Sequence, residues 1–320
     1  MRALFIINPV SGKGDSVQRA ALTAMHNLLA DKILIQADVF YTRGKDDAKN
    51  KAAQAKDNNY DCVVAVGGDG TINEAVVGLY ESNSKIPLAI LPAGTVNDFA
   101  YSLGISPTAD CLYDMVKNFT YKTVDIATFN GSFFLNVAAG GMLSDVAHSV
   151  PRDAKSSFGT IAYYWEGIKK LANLKFPTSK LAFTIDGGEK EIFDNFFFII
   201  TNSRSVGGFH KIASQAKLDD GYLDMYIVKN LNLASASVLA TKVLSGKLDT
   251  DKNTEFRKVK EVYIEAAEDI NEYHVDYDGE NGGGLPLHVK VVPQAVNLLL
   301  PSKSKQTPKM FIESEEEENQ

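Results

Sequence analysis

Over its first hundred residues the chain alternates between two hydrophobic periods. The runs 3–8 ("ALFIIN"), 33–42 ("ILIQADVFYT"), 61–66 ("DCVVAV") and 87–92 ("PLAILP") are short and rich in apolar residues, as strands buried on both faces are. Between them, 15–31, 46–57 and 72–82 place apolar or alanine positions at helical spacing, and 96–103 predicts a further short helix. This alternation predicts a doubly wound parallel α/β sheet, whose ligands sit outside the carboxyl ends of the strands. From about Lys122 the pattern turns to antiparallel β. Asn130-Gly131 and Asp186-Gly187-Gly188 separate paired strand-like runs, and "GYLDMYIVK" (221–229), "VKEVYIEA" (259–266) and "LPLHVKVV" (285–292) add strands. One helical stretch, 235–246, interrupts them. A second, β-sandwich-like domain is expected there, followed by a polar, acid-ended tail (302–320) that reads as disordered.

Composition narrows the setting. A chain of 320 residues can bury two ordinary cores, and 45% hydrophobic with 23% charged residues is a soluble globular balance. The net charge is -7, of which the tail carries -2. A body of about -5 argues against a general nucleic-acid binder. Cys62 and Cys111 are too few for a disulfide framework or a zinc site, which points to a reducing cytoplasm. The start of the chain lacks a secretory-leader pattern, and no apolar run approaches the roughly 20 residues of a membrane helix.

Three strand-to-helix turns lie on the expected ligand edge. The third strand runs into Gly67-Gly68-Asp69-Gly70-Thr71. Three residues without a Cβ let a phosphate approach main-chain N–H groups, and the helix start adds partial positive charge. Thr71 and Glu74 have the T-x-x-E spacing of a capping box. After the first strand, "INPVSGKG" (7–14) supplies Ser11, Gly12 and Lys13; after the fourth, "LPAGTVNDFA" (91–100) supplies Gly94, Thr95, Asn97 and Asp98. Any one of these is as readily a plain tight turn. Three on one sheet edge fit a polyphosphate. A P-loop is excluded because no G-x-x-x-x-G-K-[ST] occurs, and "GKGDSV" and "GDGTIN" lack the third glycine of the dinucleotide fingerprint. Asp69 would be repelled by phosphates unless a cation lay between them, and Mg²⁺ commonly bridges the two. Asp98 could share that cation. The alternative for Asp69 is a side chain that bonds its own turn.

"NPVSGKG", "GGDGTINEAVVG" and "PAGTVNDFA", in this order and spacing, resemble the catalytic domain of diacylglycerol kinases and related lipid kinases. The resemblance continues through "VDIATFNGSFFLNVAAGG", "KSSFGTIAYY", "TNSRSVGGF", "AKLDDGYLDMYIV" and "DGENGG", to about Pro301. It is strongest to the soluble enzymes of Gram-positive bacteria. It implies two domains, an α/β nucleotide-binding domain of 1–125 with a return near 292–301 and a β-rich domain of 126–291, with ATP in the cleft between them. By motif match, ATP contacts fall on Asn8, Pro9, Val10, Ser11 and Gly12, on Thr42, on Gly67, Gly68, Asp69, Gly70, Thr71, Ile72 and Asn73, and on Thr95. A structural Mg²⁺ falls on the Asp220 side chain and the main-chain oxygens of Lys217 and Tyr222. Glu280, beside Asp278, matches the proton acceptor, and Asp69, Asp98 and Asp125 match an acidic network near the phosphates.

That chemistry is self-consistent: phosphoryl transfer to an alcohol needs positioned phosphates, a cation over the developing charge, and a group that takes the hydroxyl proton. By themselves, the stretch around Asp278-Gly279 and "LDDG" (218–221) read as turns. Glu166 departs from close relatives, which can carry a basic residue there. Trp165, beside Lys169 and Lys170, fits a membrane contact or a core or rim position equally. The expectation is an ATP- and Mg²⁺-dependent kinase that converts diacylglycerol to phosphatidic acid, peripheral on the inner membrane face, with a homodimer one assembly the resemblance suggests. The alternatives are another acceptor, such as a sphingoid base, another lipid alcohol or NAD, and a non-catalytic nucleotide-binding regulator.

Overall fold

The computed structural model describes residues 1–12, 14–141, 178–270, 273–302 and 304. Lys13, the "KSSFGTIAYY" motif, Trp165, Glu166, Lys169, Lys170 and most of the acid-ended tail lie outside them. The chain divides into two compact units, Met1–Thr123 with Val296–Gln320, and Val124–Ala295.

The first unit alternates β1 (Arg2–Ile7), α1 (Gly14–Ala30), β2 (Gln36–Tyr41), α2 (Asp47–Ala53), β3 (Cys62–Gly67), α3 (Asp69–Glu81) and β4 (Leu88–Pro92). Two more helices follow, α4 (Asp98–Ser102) and α5 (Ala109–Asn118). β1 lies between β2 and β3, β4 pairs with β3, and the end of a late strand, β15 (Leu287–Leu299), joins β4 at Leu298↔Leu88; these four pairings are parallel. Every residue of β3 and β4 is buried. Since successive strand side chains point to opposite faces, helices must cover both, which is why these segments read as unbroken apolar runs. β2 is the edge strand, and its sequence is mixed to match. Helix α5 falls where the periodicity predicts nothing. Its signal is Thr108, whose Oγ1 accepts from the Cys111 N–H at 3.3 Å, an N-cap before a short amphipathic stretch.

The second unit is antiparallel. It holds β5 (Tyr121–Phe129), β6 (Ser132–Phe134), β7 (Val137–Gly141), β8 (Ser179–Ile185), β9 (Lys190–Thr201) and β10 (Leu223–Lys229). Helix α6 (Leu233–Ser245) precedes β11 (Thr254–Val259), β12 (Glu261–Ala266), β13 (Val275–Tyr277) and β14 (Glu280–Gly283). β5 and β15 each run from one unit into the other. β9 organises the sandwich: its first half pairs with β8, its second half with β7, and it also pairs with β10. In "FFFII", Phe198 and Ile200 enter the core with Phe129, Phe183 and Met225, while Phe197 and Ile199 enter a second cluster with Tyr226 and Leu239 of α6. Both faces of this strand are therefore buried, which accounts for five apolar residues in a row.

Candidate active site

In the first unit the three turns come together. Gly67 ends β3, and a Cβ there would lie 2.5 Å from the Thr71 Cβ, so only glycine lets α3 turn back so tightly. A Cβ on Gly94 would lie 2.8 Å from the Gly68 Cα: the second and third turns touch main chain to main chain. A Cβ on Gly12 would lie 3.4 Å from Thr95 Oγ1, which brings the first turn beside the third. Asn8 links the first turn to the second, donating from Nδ2 to Thr71 Oγ1 at 3.0 Å while its Oδ1 accepts from the Val10 N–H at 3.1 Å. Ser11 Oγ donates to the Asn8 carbonyl at 2.9 Å. Asn97, in the left-handed conformation (φ 57), closes the third turn by accepting from the Gly94 N–H at 2.8 Å and donating to the Gly94 carbonyl at 2.7 Å. Its own N–H donates to Asp69 Oδ2 at 2.9 Å. Asp69 thus ties the second turn to the third, and Asp98 is buried at the start of α4.

Pro9, Val10, Gly12, Gly70 and Thr95 are exposed on this edge, whereas Gly67 and Ile72 are buried and reach a ligand through main chain alone. Asn73 is half-buried on α3. Thr42 is half-buried just past β2, its N–H donating to the Ile7 carbonyl at 2.9 Å. Helix α3 starts at Asp69 and is capped by Gly68 without a side-chain hydrogen bond. The capping box expected of Thr71 and Glu74 does not form. The helix begins too early for it, Thr71 faces Asn8, and Glu74 accepts from the Asp46 and Ala48 N–H groups at 3.0 and 3.1 Å, capping α2 instead. The N-terminus of α3 is left open to an anion.

The second unit holds the other predicted acids. Asp125 is fully buried; Oδ1 accepts from the Gln294 N–H at 2.8 Å and Oδ2 from the Gly221 N–H at 2.7 Å. Asp278 is left-handed (φ 46) and accepts from three main-chain N–H groups, Leu135 at 2.7 Å and Asn136 and Val137 at 2.9 Å each. Its carboxylate clamps the turn that carries Glu280. Glu280 is exposed, and its carboxylate accepts no hydrogen bond among the described residues.

Asp220 lies in the loop between Leu218 and Leu223, with Oδ1 accepting from the Tyr222 N–H at 3.1 Å and Oδ2 from Lys258 Nζ at 2.5 Å; Lys217 is exposed and Tyr222 half-buried. Lys258 also lies 3.6 Å from buried Asp224. Burial pushes the Asp224 carboxyl up to about 6, with Lys258 acting against it. Partial burial opposes the Lys258 charge, yet Asp220 and Asp224 hold the ammonium above its usual range. No group of three or more His, Cys, Asp or Glu side chains spaced for a metal occurs among the described residues. One carboxylate with loop carbonyls is nonetheless a hard-oxygen donor set of the kind Mg²⁺ takes, and the ammonium shows that this spot already holds a positive charge. Of the described helices, none is long and apolar enough to cross a membrane.

Comparison with known proteins agrees with this layout. The diacylglycerol kinase catalytic domain matches residues 2–129, and the YegS C-terminal NAD kinase beta sandwich-like domain matches 136–300. A diacylglycerol kinase of Bacillus subtilis (strain 168) is 33% identical, covering 94% of this chain and 97% of that protein. The chain belongs to the diacylglycerol kinase family. A second diacylglycerol kinase, from Staphylococcus saprophyticus, is 31% identical over 95% of this chain and 97% of its own length. The crystal structure of a candidate diacylglycerol kinase from Bacillus anthracis str. Sterne superposes with TM-score 0.78 at 27% identity, covering 95% and 96% of the two chains. An NAD kinase from Archaeoglobus fulgidus, in complex with ATP, shares the fold at TM-score 0.53 and 14% identity over 96% of each chain. As a member of this family, the chain is a kinase.

Proposed function

We propose that this kinase transfers the γ-phosphoryl group of ATP, with Mg²⁺, to the free hydroxyl of diacylglycerol and releases phosphatidic acid and ADP. The observation that carries the reading is the meeting of three turns at the carboxyl ends of β1, β3 and β4 beside the open N-terminus of α3. Gly12, Gly70 and Thr95 offer main-chain N–H groups and a hydroxyl to the phosphates, and the helix start supplies positive potential. Thr42 and Asn73 are the further nucleotide contacts. Mg²⁺, when bound, neutralises charge on the phosphates, and Asp220 with the main-chain oxygens of Lys217 and Tyr222 is where the chain would hold a structural cation. Asp69, Asp98 and Asp125 form the supporting acidic set.

Glu280 takes the hydroxyl proton as the alcohol oxygen bonds to the γ-phosphorus and the bridging oxygen leaves with ADP. An exposed carboxylate with no hydrogen-bond donor on it, next to a clamped Asp278, suits a base that must reach an arriving substrate. The lipid acceptor places the reaction at a membrane surface, reached from the cytoplasmic side.

The test is transfer from labelled ATP with Mg²⁺ to diacylglycerol in mixed micelles, run in parallel with a sphingoid base and with NAD. Label in phosphatidic acid, lost in Glu280→Gln with ATP binding retained, is the expected result. Label only in another acceptor would reassign the substrate, and full turnover of Glu280→Gln would remove the base.

A further inference from the structure

We propose that Asn202 is a positioning residue for phosphoryl transfer, locking the loop that carries Asp220 and the turn that carries Glu280 into one frame; this rests on Glu280 acting as the proton acceptor. Asn202 follows β9 directly and is 1% exposed. Its Nδ2 donates to two carbonyls at once, Asp125 at 2.9 Å and Leu135 at 3.1 Å, and its N–H donates to the Asn136 carbonyl at 2.8 Å. Each partner starts one arm of the frame.

Through Asp125 the frame reaches the cation loop. The Asp125 N–H donates to the Leu218 carbonyl at 2.6 Å, and its Oδ2 accepts from the Gly221 N–H at 2.7 Å, so both flanks of Asp220 hang on that one residue. Through Leu135 and Asn136 the frame reaches the base. These two, with Val137, supply the three N–H groups that hold Asp278, and the Asp278 N–H returns to the Val137 carbonyl at 2.9 Å. Asn136 is fixed from its far side as well: Thr201 Oγ1 donates to its carbonyl and Ser203 Oγ to its Oδ1, both at 2.9 Å. One amide group is thus common to the two arms. Its Oδ1 is buried without a partner among the described residues. A buried unpaired acceptor works against stability, and such violations of local rules concentrate at functional sites.

If the frame loosens, the Glu280 carboxylate drifts. A displacement of about 1 Å at a reacting group costs on the order of 100-fold in rate. The test is a double-mutant cycle on the full chain, with Asn202→Ala and Asn202→Ser each made in the wild-type and Glu280→Gln backgrounds. Asn202→Ala should lower kcat for lipid phosphorylation roughly 10- to 100-fold with KM for ATP unchanged, and Asn202→Ser, which keeps one donor, should fall between. In Glu280→Gln, where there is no base to misplace and only the Asp220 arm still counts, the same change should lower residual kcat several-fold less than in the wild-type background. Equal losses in both backgrounds would make Asn202 a general structural residue and overturn the proposal, as would unchanged kcat in a folded Asn202→Ala. If Asn202→Ala does not melt cooperatively, Asn202→Ser carries the cycle, and if neither folds the residue serves folding and the proposal falls. Full turnover of Glu280→Gln alone would identify the base as the error and take the positioning role with it.

Discussion

Gly70→Ala separates a phosphate turn from a merely tight one, because the two give opposite signs in two measurements. Gly70 is the second residue of α3, is exposed and needs no left-handed backbone; a Cβ built there meets no heavy atom within 4 Å. The protein itself therefore has no objection to alanine. Exchanging glycine for alanine in a helix gains about 0.5–1 kcal/mol, and near the first turn the lower figure applies. For a unit of this size, about 0.5 kcal/mol raises the melting temperature by about 1–2 °C. A phosphate seated against the Gly67–Thr71 main chain, however, would occupy the space the methyl takes. Losing one charge-assisted hydrogen bond costs about 1.5–3 kcal/mol, or roughly 10- to 100-fold in affinity. Thermal melts without nucleotide and calorimetric titration with ATP read the two effects apart. A higher melting temperature with weaker ATP binding is expected. Higher stability with ATP affinity untouched would refute the phosphate site at this turn. Gly67→Ala is the control: its Cβ would meet Thr71 at 2.5 Å, so it should lose stability as well as binding.

Three further changes probe the supporting bonds. Glu74→Ala should lower stability by about 1–2 kcal/mol, because it strips the Asp46 and Ala48 N–H groups of their acceptor, and hydrogen exchange should quicken at the start of α2 rather than α3. Tyr60 donates to Asp38 Oδ2 at 2.6 Å, and that bond holds the Asp38 carboxyl below its ordinary 3.8. A depressed carboxylate stabilises the fold above its unfolded value and ceases to as pH falls through the folded one; Tyr60→Phe should therefore cost a few tenths to about 1 kcal/mol at pH 7 and nothing measurable well below pH 3.8 in denaturant melts. Asp278→Asn turns an amide N–H toward main-chain donors and should lose about 2–3 kcal/mol, whereas Glu280→Gln should melt like wild type; matching melts for the two would remove the clamp.

The parallel half was legible because β1, β3 and β4 are almost wholly buried and α1 and α3 are long enough to show a period; β2, at the edge, has no buried residue and shows only in part as an apolar run. The exceptions have local causes. α5 is ten residues long, and its one clear sign is the Thr108 cap. The T-x-x-E spacing of Thr71 and Glu74 pointed to a capping box that Gly68 pre-empts, since a glycine N-cap lets α3 start at Asp69 and frees Glu74 for α2. The glycine turns stand out in the sequence because close approach of two backbones demands glycine at each. Asn202 does not. Its bonds run to Asp125 and Leu135, 77 and 67 residues away, and nothing in "TNSRS" distinguishes an asparagine that holds two distant carbonyls from one in a loop.

The same distance effect bears on why a carboxylate stands among three glycines. Asp69 looks out of place only while its turn is considered alone. The neighbouring turn needs an acceptor for the N–H of Asn97, a residue whose left-handed backbone and own side chain are already committed to Gly94, and Asp69 supplies it from α3. Asp125 and Asp278 follow the same rule, each spending its oxygens on N–H groups contributed by segments far along the chain. An oxygen already receiving a main-chain N–H has less capacity to take a proton from a substrate. The acids therefore divide by partner rather than by motif: those that hold turns together are tied to the backbone, whereas the Glu280 carboxylate is exposed and without a donor among the described residues, as the proposed base must be.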